Sequence, residues 1–297
     1  MYSIDAIQPD YTPRKLISEQ LPEIPSKIKM YEPDSAFLCG LLNKFKPEKI
    51  LEVGIANGGT TAVIIQCMHT LGIPFQIHCV DLLEKGYAGS DREIGYLGKE
   101  ASRLLHFDNY HLWSGVCLPQ VIDRIGGDID FLILDTTHRL PGETLDFLAA
   151  YPYLSADAVV CMHDIRQNHN NPPDHMRIAT NALFNSVAAD KYIYSDATRQ
   201  PDYPNMGAFK INADTEKYIT NVFGVLTQNW AKLPSKEMLA SYKAILCRSY
   251  SEESLWIFDH ALQMNQISLK TLKKQFRISS KTKTIFSHIG RFLPQKD

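Results

Sequence analysis

Acidic and histidine residues stand in pairs directly after two apolar runs of the sequence. The first run ends at Asp135, and His138 follows three residues later. The second run ends at the adjacent residues His163 and Asp164. If the two runs are neighbouring strands of a parallel sheet, their carboxyl ends lie about 5 Å apart, and the two carboxylates can share one cation. We therefore expect a divalent metal site at Asp135, His163 and Asp164.

The expected chemistry at these residues is the removal of a proton from a hydroxyl group. A hydroxyl bound to a divalent metal loses its proton more readily, and His138 is placed to accept it. The candidate metals are Mg, Mn and Fe, and an imidazole ligand at His163 suits Mn, Fe or Zn better than Mg. Asp135 and His138 are thus the candidate catalytic pair.

A glycine-rich turn follows another apolar run, within the segment Ile50–Thr60. Glycines belong in such a turn because a ligand can approach the backbone where no Cβ stands in the way. The spacing Gly-x-Ala-x-x-Gly, which begins at Gly54, differs by one residue from the dinucleotide fingerprint Gly-x-Gly-x-x-Gly. Asp81 follows the next apolar run, at the place where nucleoside-binding folds carry the acid that binds the ribose hydroxyls.

The elements that must position these residues alternate between apolar runs and helical patterns. Near-continuous apolar strands separated by helices are typical of a parallel sheet covered on both faces. The segment 1–32 is rich in proline and is expected to be irregular, and the helical spacing within 212–297 predicts a C-terminal extension. The predicted strands are Lys49–Ile55, Phe75–Val80, Tyr110–Trp113, Phe131–Leu134, Ala158–Met162, Tyr192–Ser195 and Met206–Ile211, and the predicted helices are Pro33–Asn43, Thr60–Leu71, Asp91–Leu105, Leu118–Ile125, Gly142–Tyr151 and His175–Ala188.

The sequence Leu-Glu-Val-Gly at the end of the first predicted strand, followed by a loop of small residues, resembles motif I of the class I S-adenosylmethionine-dependent methyltransferases. In that family Glu52 would position the loop, and three loop residues would border the methionine part of the cofactor. Asp81 matches the acid that binds the ribose. Two residues at the end of the third strand stand where the family places neighbours of the adenine. The cofactor-binding set that the resemblance implies is Glu52, Gly54, Asn57, Gly58, Asp81, Ser114, Gly115 and Asp135.

The pattern Asp-x-x-His, a helix, an apolar strand and His-Asp resembles a narrower group over Tyr31–Ile211. This group includes catechol-type O-methyltransferases, macrolide-sugar O-methyltransferases such as the macrocin enzyme, and cephalosporin-hydroxylase-like proteins. In the group, the carboxylate that matches Asp135 and the acids after the next strand bind a divalent metal. In its sugar-modifying members the histidine that matches His138 is the proposed base. His163 departs from the pattern, because metal-using relatives often carry an acid there.

The resemblance implies an α/β fold of the Rossmann-like kind, a doubly wound and mostly parallel sheet with helices on both faces. The expected organisation is an N-terminal segment at 1–32, a methyltransferase domain at 33–211, and a helical extension with a basic amphipathic tail at 212–297. The expected reaction moves a methyl group from S-adenosylmethionine to a hydroxyl of a small molecule. A sugar or glycan precursor is favoured over a phenol as that acceptor.

The charge of the chain is nearly balanced, with 31 Lys and Arg against 33 Asp and Glu. This balance argues against nucleic acid as a partner. Six scattered cysteines without a CxxC pair favour a reducing, cytoplasmic location, and we expect a homo-oligomer. The tail from Gln266 to Asp297 differs, with a net charge of +7 and interleaved apolar residues. It suits either an anionic membrane or acidic partner, or docking on its own domain or a sister subunit.

Two other functions are compatible with parts of the pattern. One is an oxidoreductase that uses either a nucleotide at the glycine loop or an iron site formed by His138, His163 and Asp164. The incomplete glycine fingerprint argues against the nucleotide version. The other is a non-catalytic scaffold that keeps a nucleoside pocket. The presence of Asp81, Asp135, His138 and Asp164 together argues against it, since a scaffold needs no such set.

Overall fold

A seven-stranded sheet lies at the centre of the described part of the chain. The computed structural model describes residues 7–20, 28, 30–86, 91–167, 177–194 and 205–289, with side chains up to residue 272. The strand order is β3-β2-β1-β4-β5-β7-β6, and β7 alone runs antiparallel to its two neighbours. The strands are β1 (Lys49–Val53), β2 (Gln76–Asp81), β3 (Tyr110–Ser114), β4 (Ile129–Leu134), β5 (Leu154–Met162), β6 (Asp190–Ile193) and β7 (Gly207–Lys210). The predicted fold class, a mostly parallel doubly wound sheet, is confirmed.

Helices cover both faces of this sheet and supply two apolar cores. The central strands are apolar on both sides because each face packs against helices. In β1, for example, Ile50 lies in the core on the side of α2 and α3, whereas Leu51 and Val53 lie in the core on the side of α6. The helices are α1 (Thr12–Gln20), α2 (Glu32–Phe45), α3 (Gly59–Leu71), α4 (Tyr96–Leu104), α5 (Ile122–Ile125), α6 (Gly142–Ala150), α7 (Ala179–Ser186), α8 (Ala213–Lys217), α9 (Thr220–Val225), α10 (Lys236–Ser249) and α11 (Glu252–Ile289).

The order in which strands are added to the sheet reverses between β1 and β4, and this reversal determines where the site lies. The chain builds β1, β2 and β3 outward in one direction and then returns to lay β4 on the other side of β1. Loops after β1 and β4 therefore diverge and leave a crevice at the carboxyl ends of the strands, where ligands bind in such folds. The predicted glycine loop and Asp135 both lie at this crevice.

Three predicted elements differ from the structure. The segment before Tyr31 was expected to be irregular, but it contains α1, whose Ile17 is buried against the α3 side of the sheet. The helix predicted from Asp91 begins only at Tyr96, because Gly95 adopts a left-handed conformation with φ 71° just before it. The helix predicted from His175 begins at Ala179 in the described residues, and residues 168–176 lie outside them.

The C-terminal extension packs onto the sheet rather than standing apart from it. Asn212 caps α8 by accepting hydrogen bonds from two backbone N–H groups, so the extension starts directly after β7. Trp230 and Phe258 are fully buried within the core that contains α6. Within the described residues, no helix is both long enough and apolar enough to cross a membrane. The tail is helical up to Ile289, while its side chains after residue 272 and residues 290–297 lie outside the description.

Candidate active site

The glycine loop is wedged between the ends of β2 and β4. Gly54 has φ 87°, and its N–H donates a hydrogen bond to the Val80 carbonyl at 2.9 Å. A Cβ at this position would lie 2.0 Å from the carbonyl oxygen of Asp135. Only glycine allows both the left-handed backbone and this close approach. Gly54 therefore fixes the distance between the loop and the strand end that carries Asp135.

Asp81 fastens the loop from the neighbouring strand. One of its carboxylate oxygens accepts hydrogen bonds from the backbone N–H groups of Ile55 and Ala56, at 2.9 and 3.0 Å. The other accepts from the N–H of Leu83 at 2.9 Å. The second oxygen retains acceptor capacity, because a carboxylate can take about four hydrogen bonds in all and three are used here. Asp81 can thus hold the loop and still accept a hydrogen bond from a ligand in the crevice.

Glu52 lies behind the loop and not in the crevice. It is fully buried and accepts a hydrogen bond from Thr61 Oγ1 at 2.6 Å, which ties β1 to the first turn of α3. Burial raises the pKa of Glu52 to about 8, and the hydrogen bonds from Thr61 and Cys79 only partly offset that rise. Its place fits the predicted role of positioning the loop, since it has no access to a ligand.

The remaining residues of the predicted cofactor set are divided between the crevice and its supports. Asn57 lines the crevice. Gly58 is the left-handed cap of α3, and a Cβ there would lie 2.8 Å from the backbone nitrogen of Gly98 in α4. Ser114 and Gly115 end β3 outside the lining, which on that side is formed by the next three residues, Val116, Cys117 and Leu118.

A cluster of two carboxylates and one imidazole lies across the crevice from the glycine loop. His138 Nε2 is 3.2 Å from Asp164 Oδ2 and 3.6 Å from Asp135 Oδ1. Asp164 and His138 both have left-handed backbones, with φ 57° and 56°. Such conformations are unfavourable for residues with a side chain and recur at functional sites. The sequence predicted His138 as a base beside a metal site, and in the structure its ring forms one group with the two carboxylates.

The buried acid Glu143 orients His138, and it controls the charge of the ring together with Asp135 and Asp164. Its Nδ1 lies 3.4 Å from Glu143 Oε1, and the same oxygen accepts a hydrogen bond from the His138 backbone N–H. Burial pulls the pKa of His138 down, but the bond to Glu143 and the charges of Asp135 and Asp164 outweigh it, so the pKa is raised. Sequence patterns missed Glu143, which was indistinguishable from an ordinary acid in the first turn of α6.

His163 bridges the cluster to a buried acid that the sequence did not reveal. Its Nδ1 lies 3.5 Å from one oxygen each of Asp135 and Asp164, while its Nε2 lies 3.6 Å from Asp34 Oδ2. Asp34 is fully buried in α2 and accepts a hydrogen bond from Tyr194 Oη at 2.5 Å. Burial lowers the pKa of His163, yet the surrounding carboxylates raise it overall. Asp34 looked like an acid at a helix start, and only the packing of α2 against the sheet brings it here.

Asp164 is held in place from the segment before β7. Asn205 Nδ2 donates to Asp164 Oδ1 at 2.8 Å, and Gln167 Nε2 donates to Asp164 Oδ2 at 2.8 Å. The Asp164 backbone carbonyl accepts from Thr180 Oγ1 at 2.8 Å. These three partners come from three places in the sequence, so no single local motif predicts them.

The glycine loop and the cluster line one cleft of about 670 Å³. The C-terminal extension closes part of it, with Lys232, Met238 and Tyr242 in its lining. Tyr242 Oη donates to Asp146 Oδ1 at 2.5 Å, and burial raises the pKa of Asp146 to about 7. A single cleft that joins a nucleoside-type loop to a proton-accepting cluster can hold a cofactor and an acceptor side by side.

Residues 51–165 match the family model described as a methyltransferase domain. They include the glycine loop, Asp81 and the whole cluster of Asp135, His138 and Asp164. The chain therefore contains a methyltransferase domain. The matched range runs from β1 to the residue after Asp164, and the cleft also has lining residues outside this range, such as Tyr31 and Tyr242. No curated protein matches the chain at a significant level.

Solved structures similar to this methyltransferase include three from different organisms. An O-methyltransferase from Bacillus cereus in complex with S-adenosylhomocysteine is 13% identical, with a TM-score of 0.46 over 67% of this chain and 96% of that one. An S-adenosylhomocysteine-bound methyltransferase from Podospora anserina is 13% identical, with a TM-score of 0.45 over 68% and 86%. An O-methyltransferase of tomaymycin synthesis from Streptomyces achromogenes, in complex with S-adenosylmethionine, is 14% identical, with a TM-score of 0.45 over 70% and 92%.

Proposed function

We propose that this methyltransferase transfers a methyl group from S-adenosylmethionine to a hydroxyl oxygen of a small molecule, with a sugar or glycan precursor as acceptor. The observation that carries the proposal is the cluster of Asp135, His138 and Asp164 in the same cleft as the glycine loop. An oxygen nucleophile must lose its proton as it attacks the methyl group, and this cluster supplies groups that accept or stabilise that proton.

A divalent cation fits the cluster. Asp135, His138 and Asp164 each offer a ligand atom, and these atoms all lie within 4.8 Å of one another. Two carboxylate oxygens and one imidazole nitrogen form a donor set that suits Mn or Fe, and less well Mg. When bound there, the cation would make an acceptor hydroxyl more acidic. This set exchanges the predicted ligand His163 for His138, and His163 then supports it from behind with Asp34.

The chain's own residues define how the acceptor is held. Gly54 brings the loop against the strand end of Asp135, so a cofactor bound at the loop lies beside the cluster. Glu143 Oε1 accepts a hydrogen bond from the His138 backbone N–H and lies 3.4 Å from Nδ1, so Nε2 is the ring nitrogen that faces the cleft carboxylates. In this orientation Nε2 is the nitrogen that would ligate a bound cation or, without one, would accept the proton. His138 therefore cannot act as the base and as a metal ligand at the same time.

The acceptor side of the cleft favours a polar molecule over a flat aromatic one. Asp146 and Tyr242 present an acid and a hydroxyl, and Lys232 is the only Lys or Arg among the described lining residues. Tyr31 also belongs to the lining and is largely exposed. Several hydrogen-bonding groups around a hydroxyl-rich ligand support the choice of a sugar-containing acceptor.

Calorimetric titration with S-adenosylhomocysteine, with and without Mn²⁺ or Mg²⁺, tests the first half of the proposal. We expect binding of S-adenosylhomocysteine, and no comparable binding of NAD. Labelled methyl transfer to a panel of sugars and catechols tests the second half. Exhaustive chelation should abolish transfer, and restoring the metal should recover it.

Comparing Asp164→Asn with the matched control Asp157→Asn separates the effect of the cluster from the general effect of removing one negative charge. Both acids belong to β5 or its end, but Asp157 is exposed and forms an ion pair with Lys210 at the surface. We expect Asp164→Asn to lose metal-dependent transfer and Asp157→Asn to keep it. Methyl transfer that is unaffected by chelation and by Asp164→Asn would contradict the metal site. Tighter binding of NAD than of S-adenosylhomocysteine would instead favour an oxidoreductase.

A further inference from the structure

The outward face of α11 carries an apolar stripe. Trp256, Met264 and Ile267 are 66%, 52% and 54% exposed, and the helical repeat places them on one side of the helix. The ring of His260 stacks on Trp256, with centroids 5.3 Å apart. Apolar side chains of this size seldom form a row on the free surface of a soluble protein. The opposite side of α11 docks on the domain through Ser254, Phe258, Ala261 and Asn265, all buried.

The sequence after Asp259, which contains the rest of this stripe, has bases and no acid up to residue 296. From residue 260 to residue 296 there is no Asp or Glu, whereas there are eight Lys and Arg. The first 265 residues, in contrast, carry a net charge of −9. Lys270, the first of the eight bases, is exposed and lies three residues after Ile267. The helix of 38 residues is about 57 Å long and contains six of the eight bases.

The charge of the sequence guides the choice of what covers this face. Acids lie only beside the first residue of the stripe, Trp256, and only bases follow from residue 260 to residue 296. A bilayer with anionic lipids offers both an apolar layer and negative headgroups, and it suits a helix with Trp on one side and Lys and Arg beside it. We infer that α11 is a docking surface for an anionic lipid bilayer, on which the helix lies in the plane of the headgroups. This inference does not depend on the identity of the methyl acceptor.

Co-sedimentation of the full chain with lipid vesicles tests the inference. The two probes are vesicles of phosphatidylcholine alone and vesicles that also contain phosphatidylserine. We expect binding to the second kind only, and weakening by added salt. The triple variant Lys270→Gln, Lys273→Gln and Lys274→Gln should bind roughly 100-fold more weakly, from about fivefold for each base near the surface.

Two further variants keep the result interpretable. The charge-matched control Lys15→Gln, Lys99→Gln and Arg103→Gln removes three exposed bases elsewhere and should retain vesicle binding. Ile267→Gln removes apolar area from an exposed site without touching the core, and it should weaken binding to the same vesicles. Equal loss in the control triple, or equal binding to both kinds of vesicle, would overturn the inference. So would a dimer in light scattering that Ile267→Gln dissociates and that does not bind vesicles, since a second copy would then cover the face.

Discussion

Replacing the buried Glu52 by glutamine should change how the stability of the protein depends on pH. Burial raises the pKa of Glu52 from 4.5 to about 8 in the folded state. Between these two values the folded protein holds a proton that the unfolded chain has released. The stabilising contribution of this group is therefore complete below about pH 4.5 and is lost as the pH rises through about 8. The neutral side chain of Glu52→Gln avoids this loss.

The size of the effect follows from the shift. Each pH unit in this window removes about 1.4 kcal/mol from the free energy of unfolding, so the whole window corresponds to about 5 kcal/mol. This is a large part of the free energy of unfolding of a typical folded domain, which is roughly 5–15 kcal/mol. Asp146, whose pKa burial raises to about 7, adds a similar slope in both proteins. The difference between the two proteins isolates Glu52.

Urea denaturation at about pH 5.5 and about pH 8.5, followed by circular dichroism, measures this difference. We expect the variant to have nearly wild-type stability at the lower pH and to be several kcal/mol more stable than wild type at the higher one. Glu48→Gln is the matched control, because Glu48 is exposed one residue before β1 and should leave the pH dependence unchanged. Parallel pH profiles for wild type and Glu52→Gln would refute the idea that Glu52 is protonated inside the fold.

Three further changes test the cleft. Gly54→Ala places a Cβ 2.0 Å from the Asp135 carbonyl oxygen and should abolish S-adenosylhomocysteine binding in calorimetry. Gly72→Ala is the control, because Gly72 has φ 65° but no atom within 4 Å of the added Cβ. This change should cause only backbone strain and leave binding intact. Asp81→Ala should weaken cofactor binding by about 1.5–3 kcal/mol, and unchanged affinity would mean that Asp81 serves the loop alone. His138→Ala should lower turnover by roughly 10²–10⁴ with nearly unchanged cofactor affinity, and a wild-type rate on the true acceptor would exclude it from the chemistry.

The sequence by itself determined the order of the elements around the site. Apolar runs closed by Gly54, Asp81, Asp135 and Asp164 predicted parallel strands with functional residues at their carboxyl ends. That prediction depends on local information, because a strand buried on both faces must be apolar throughout and must end where polar residues appear. The segment before Tyr31 was misjudged because α1 is short and begins with a Thr-Pro pair, which resembles irregular chain as much as a helix start.

Only the tertiary structure decided which side chains meet in the cleft. Asp34 and Asn205 come from a helix and a loop that are distant in sequence, and no spacing rule connects them to His163 or Asp164. Glu143 follows His138 by five residues, but only the turn between them brings the two together. The tertiary structure also decided that His138, and not the predicted His163, groups with Asp135 and Asp164 as a candidate ligand. Left-handed backbones at His138 and Asp164 turn those side chains toward each other, and this conformation follows from the packing of neighbouring elements, which is not written in the local sequence.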